Sequence, residues 1–122
     1  MGLDMNFFAV PNGKEPTEEN VTAIQYFRKH ATLHDLLLKE WLKVNPTKSV
    51  RDFNYIMMEV TPDFFGSLLK ICKAPKQRTH YSEECFWGES SPEDWEETKN
   101  NFIPNAKYYI EQGYKIYYFP WW

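Results

Sequence analysis

Residues 3–13 read LDMNFFAVPNG, and their alternation decides the fold class. Leu3, Met5, Phe7 and Ala9 fall in one phase and Asp4, Asn6, Phe8 and Val10 in the other, the two-residue period of a strand. The Pro11-Asn12-Gly13 turn stops it. Near the other end, Tyr114 to Phe119 is a run of β-favouring aromatics with one Lys and one Ile, followed by Pro120 and two tryptophans. It reads as the last strand.

Between these ends, Thr17 can cap a helix with Glu18 and Glu19 at its positive end, and a helical pattern runs to about Val44, before Pro46. Phe53 to Val60 is a second strand candidate. Thr61-Pro62-Asp63 then gives an N-cap, a first-turn proline and an acidic residue, and predicts a short helix to about Lys73. Ala74 to Glu84 has Pro75 and no period, so it reads as a loop, leading to a short Cys85-Phe86-Trp87 strand candidate before Gly88. Ser91-Pro92-Glu93 repeats the capping logic for a helix toward Gln112, with Pro104 kinking or splitting it and Gly113 as its stop. Strands alternating with helices predict an α+β fold in a single domain over 1–122. Its sheet, mostly antiparallel or mixed, has about four strands covered by a long first helix and two further helices.

Composition narrows the class. In 122 residues, 43% are hydrophobic and 18% aromatic, which excludes a disordered segment although the mean hydropathy is −0.63. A formal charge of −3 disfavours nucleic acid as a default ligand, because that needs a basic surface to displace counterions. No apolar stretch approaches the length of a membrane span, and residues 1–12 lack a secretory leader, so a cytoplasmic setting is expected. Cys72 and Cys85 form neither a disulfide framework nor a CxxC site and are expected to be reduced.

On a helical wheel of 17–44, Ala23, Ile24, Phe27, Ala31, Leu38, Trp41 and Leu42 share one face, and His30 and His34 fall on it. Histidines four apart can address a common spot, the spacing of a helix supplying two metal ligands, although the HExxH glutamate is missing. A third ligand would come from Asp4, His80, Cys72 or Cys85, and the spacing selects none of them. Two other readings stay open: satisfied core histidines, or a pocket in which Arg28, Lys29, His30 and His34 hold a phosphate or carboxylate.

A second feature is charge segregation. Glu83, Glu84, Glu89, Glu93, Asp94, Glu96 and Glu97 follow Lys70, Lys73, Lys76 and Arg78, and read either as a solvated helix start or as a partner-binding, nucleic-acid-mimicking face. A third is the aromatic ending, where Trp121 and Trp122 beyond Pro120 suit an interface, including a homodimer, and Leu36 offers a second contact. Glycine-loop, nucleophile-elbow and zinc-finger motifs are absent, and the carboxylates of 83–97 lack the apolar surroundings that acid catalysis needs.

Met1-Gly2-Leu3-Asp4-Met5, Phe27-Arg28-Lys29-His30 followed by His34, and Phe86-Trp87-Gly88-Glu89-Ser90 together resemble a family of small phage and prophage proteins. Members begin MGLDMYL, continue with a YWRKxxxxH helix and an FFFGS-like segment, and close with a helix and an aromatic strand ending in Trp. Here Asn6 stands at the usual Tyr position and Tyr26-Phe27 at the usual Tyr-Trp. The resemblance implies a role in the infected cell. It makes the leading expectation a non-enzymatic accessory protein, without a cofactor, that binds a host or defence-system protein through Glu93, Asp94, Glu96, Glu97, Trp121 and Trp122. The alternative is a ligand, nucleotide or metal site of Asp4, Arg28, His30 and His34.

Overall fold

The computed structural model describes residues 2–73 and 90–122. Strands β1 (Asp4–Pro11) and β2 (Thr22–Arg28) form an antiparallel hairpin, followed by helix α1 (Ala31–Val44), a 3-10 turn (Val50–Phe53) and the short strand β3 (Met58–Val60). Helix α2 spans Pro62–Lys73 and α3 Pro92–Glu97. A π-helical turn, Thr98–Phe102, joins α3 to α4 (Ile103–Glu111), and β4 (Tyr114–Trp121) closes the chain. The sheet order is β2-β1-β4-β3 and every pairing is antiparallel, the α+β architecture expected from the alternating ends.

The two stretches that flank the chain become the two central strands. Phe7 faces Tyr118 across β1 and β4, and Asp4 faces Trp121. One phase of each strand, Met5, Phe7 and Ala9 with Ile116 and Tyr118, is fully or almost fully buried in a core shared with Leu33, Leu37, Phe65, Leu68, Phe102 and Ile103 of the helices. Phe7 stacks on Tyr118 at 4.8 Å and meets Phe102 at 4.3 Å. The opposite phase, Asn6, Phe8, Tyr117, Phe119 and Trp121, lies outside that core. The helices therefore cover one face of the sheet.

The helix expected over 17–44 is corrected in its first half. Residues 22–28 are strand β2, and Lys29, in the left-handed region at φ 60, separates it from α1. Ala23, Phe27 and Ala31 recur every four residues as on a helix, but Thr22, Ile24, Tyr26 and Phe27 are β-favouring residues, and pairing with β1 selects the strand. The second strand candidate shortens similarly. Of Phe53 to Val60, only Met58–Val60 pairs, because Asn54 and Tyr55 clamp the C-terminus instead. The Asn54 side chain donates to Trp122 O at 2.8 Å and accepts from Trp122 N at 2.9 Å, and Tyr55 N donates to Pro120 O at 2.9 Å.

Helix α2 starts at Pro62 as expected. At α3, Ser91 and Asp94 form a reciprocal capping box, with Asp94 N donating to Ser91 Oγ at 3.1 Å and Ser91 N to Asp94 Oδ2 at 3.0 Å. The break expected from Pro104 is the π-helical turn just before it, since proline offers no N–H to the preceding turn. Gly113, at φ 87, ends α4 with its N–H on Ile110 O. The expected loop 74–84 and the strand candidate Cys85 to Trp87 lie outside the described residues.

Candidate functional site

The face of the sheet that the helices leave uncovered carries Phe8 from β1, Tyr26 from β2, and Tyr117, Phe119 and Trp121 from β4, each out of phase with a buried neighbour. Tyr55, held at φ 66 beside the C-terminus, adds a sixth ring, 6.1 Å from Phe119 and 6.3 Å from Trp121. Tyr26, Tyr55 and Trp121 are 51%, 56% and 46% exposed, so three of the most exposed large apolar side chains share one surface. Val10, in the same phase near the end of β1, is fully buried.

Hydrogen bonds orient these rings. The Tyr26 hydroxyl donates to Asp4 Oδ1, and Trp121 Nε1–H donates to the Tyr55 hydroxyl. The bond to Asp4 raises the Tyr26 pKa above the ordinary phenol value, followed in importance by burial and by the Asp4 charge. Arg28 is the register partner of Asp4, and Gly2 lies against it: a Cβ there would come within 3.2 Å of Arg28 Nη2. Farther along, Lys115 pairs with Glu59 at 3.6 Å. Two basic and two acidic side chains thus leave the surface balanced in sign.

The histidines lie on the other side of the sheet. His30 is the N-cap of α1 and is fully buried. The Thr98 hydroxyl donates to Asp94 O at 2.7 Å, so His30 Nε2–H donates to Thr98 Oγ1 at 2.9 Å. Its Nδ1 meets the Ser90 hydroxyl at 2.6 Å, and Ser90 Oγ accepts the Thr32 N–H at 2.9 Å, capping α1 from a distant part of the chain. His34 is hydrogen-bonded through Nδ1 to the Tyr118 hydroxyl at 2.6 Å and is surrounded by Phe53, Tyr118 and Trp122. Burial pushes the His34 pKa down to about 3 and that of Tyr118 well up. The helical spacing does not make the two rings converge, because His30 stands at the helix start and turns to α3 and the π-helical turn, while His34 turns to the sheet.

The candidate set Asp4, Arg28, His30 and His34 is accordingly split, the first two on the open face and the last two beneath the helices. Lys29 is exposed at the bend before α1. Among the described residues, no group of three His, Cys, Asp or Glu side chains could hold a metal ion. Cys72 is buried against the core, while Cys85 and His80 lie outside the described residues.

The acidic segment divides as well. Glu93 and Glu96 are exposed, but Asp94 belongs to the capping box, and Glu97 accepts from Gln25 at 3.2 Å and Asn101 at 2.8 Å. Glu83, Glu84 and Glu89 lie outside the described residues. Of the terminal tryptophans, Trp121 is on the open face, whereas Trp122 packs against His34. Leu36 is half-buried beside α2.

Phe8, Tyr26, Tyr55, Tyr117 and Phe119 escaped the sequence reading as a group. A signal existed at Phe8, Tyr117 and Phe119, which are aromatic in the phase where a half-exposed strand ordinarily carries polar residues. No helix among the described residues is long and apolar enough to cross a membrane. No family model, curated protein or solved structure matches this chain with significance.

Proposed function

We propose that this protein is a non-enzymatic binding module that engages a partner protein with the open face of its sheet. The observation that carries the reading is the cluster of six aromatic side chains on that face, three of them about half exposed and oriented by hydrogen bonds. Ring-rich surfaces with fixed side chains lose little rotamer entropy on binding and supply the anchors of protein interfaces. The balance of Arg28 and Lys115 against Asp4 and Glu59, in a chain of charge −3, favours a protein over a phosphate backbone. The buried bonding of His30 and His34 supports structural roles for both.

The resemblance to small phage and prophage proteins makes a host or defence-system protein the partner class, and the anti-defence role is part of this proposal. Of the contact expected from sequence, this proposal keeps Trp121 and leaves out the acidic segment, since Asp94 and Glu97 are engaged within the fold.

A photo-crosslinking amino acid placed at Tyr26 or Trp121, and separately at Lys107 on α4, tests the assignment in cells expressing the protein. The expected result is one adduct of defined mass from the two sheet positions and none from Lys107. Adducts from Lys107 alone, or none from the sheet positions, overturn it. An adduct at twice the chain mass would make the partner a second copy.

A further inference from the structure

The sheet order leaves β3 at an edge, bordered by β4 on one side and, among the described residues, by no strand on the other. Beside this edge lies a half-open cavity of about 350 Å³. Its wall is β3 itself with Ile56, Met57 and Thr61, and it is closed by Trp41 and Val44 at the end of α1 and by Phe64 of α2. Val44, the last residue of α1, is 76% exposed and forms an apolar rim.

We infer that this edge is a second docking site, which takes an extended segment of a partner protein as a fifth strand. An added strand gains its affinity from main-chain hydrogen bonds and its specificity from pockets that receive alternate side chains. Here the pocket and an edge that is unpaired among the described residues coincide. An apolar side chain of the incoming segment enters between Trp41, Val44 and Phe64 while its backbone pairs with Met58–Val60.

The charge of the occupant follows from the rim. The charged residues lining this cavity are Glu40 and Glu59, and those of the adjoining cavity of about 340 Å³ between α1 and α2 are Glu40 and Asp63. All are carboxylates. Lys43, on Glu40 at 3.4 Å, and Lys115, on Glu59 at 3.6 Å, sit in exposed surface pairs that an incoming cation can replace at little cost. The segment that fits alternates apolar residues with Lys or Arg. This site adjoins the open face at Glu59 but does not depend on the function proposed for that face.

The test is a titration of the isotope-labelled full chain with an end-blocked seven-residue peptide alternating leucine or valine with lysine or arginine, followed by NMR. Amide shifts centred on Met58–Val60, with broadening of the Trp41 indole signal, are expected. Replacing the basic residues by glutamate, or N-methylating the backbone on its pairing side, should each weaken binding by about tenfold or more. The half-exposed double variant Glu40→Lys/Glu59→Lys should show the same loss toward the basic peptide. No shift at millimolar peptide, equal binding of the glutamate or N-methylated analogues, or shifts confined to β2 would each overturn the inference. Concentration-dependent shifts at β3 without peptide would replace the peptide by a second copy and overturn it too.

Discussion

Acidification tests the buried placement of His34 directly. In the folded state burial holds its pKa at about 3, against about 6.5 for an exposed imidazole, so between these values the unfolded chain binds a proton that the native chain refuses. The sign is that of a depressed base. The His34 contribution is complete above pH 6.5 and declines as pH falls toward 3, with stability decreasing by about 1.4 kcal/mol per pH unit. Lowering the pH from 7.5 to 5.0 crosses about 1.5 units of that window and should cost about 2 kcal/mol, a sizeable share of the 5–15 kcal/mol typical of a domain. Urea unfolding at both pH values, for wild type and for His34→Gln, isolates the effect, because the carboxylates and the other histidines titrate in both proteins. The prediction is a pH-dependent loss about 2 kcal/mol larger in wild type at equal m-value. Losses equal within about 0.5 kcal/mol would refute the burial of a neutral imidazole against Tyr118.

Three further outcomes follow from the packing and caps. Phe7→Ala, at the centre of the stack with Tyr118 and Phe102, should lower unfolding stability by about 3–5 kcal/mol in the same urea assay. Ser90→Ala removes both the trans cap on Thr32 N–H and the partner of His30 Nδ1, and should cost about 1–3 kcal/mol, more than Ser49→Ala at the exposed 3-10 turn. Asp4→Asn should return the Tyr26 phenol toward its ordinary titration range in an ultraviolet pH titration, with the fold unchanged by circular dichroism.

How much was legible depended on whether a signal was local. Leu3 to Val10 and Tyr114 to Phe119 announce strands because their side-chain period is set by the backbone alone, and Ser91-Pro92 and Thr61-Pro62 announce helices because capping is chemistry within one turn. Thr22–Arg28 was misread because Ala23, Phe27 and Ala31 fit a helical spacing, whereas its pairing with β1 decides the strand. The shortness of β3 has a similar origin, since Asn54 and Tyr55 are claimed by the C-terminus. The histidines illustrate the same limit at the site. Their spacing suggested convergence, yet His30 is bonded to Ser90 and Thr98, sixty or more positions away, and His34 to Tyr118.

The open face was half visible. Aromatic residues in the outward phase of β1 and β4 could have been noticed from sequence, whereas Tyr26 joins them only once residues 22–28 are a strand, and Tyr55 only through the clamp on the C-terminus.

The central claim, that a partner protein binds the aromatic sheet face, is tested most directly by the affinity of the crosslinked partner, once purified, for surface variants. Trp121→Ala combined with Tyr26→Ala is predicted to weaken binding by at least about 30-fold, the loss expected of interface anchors, while Glu93→Lys/Glu96→Lys stays within about threefold of wild type. Unchanged binding by the aromatic variant, with loss confined to the acidic one, would contradict the account and return the interface to α3.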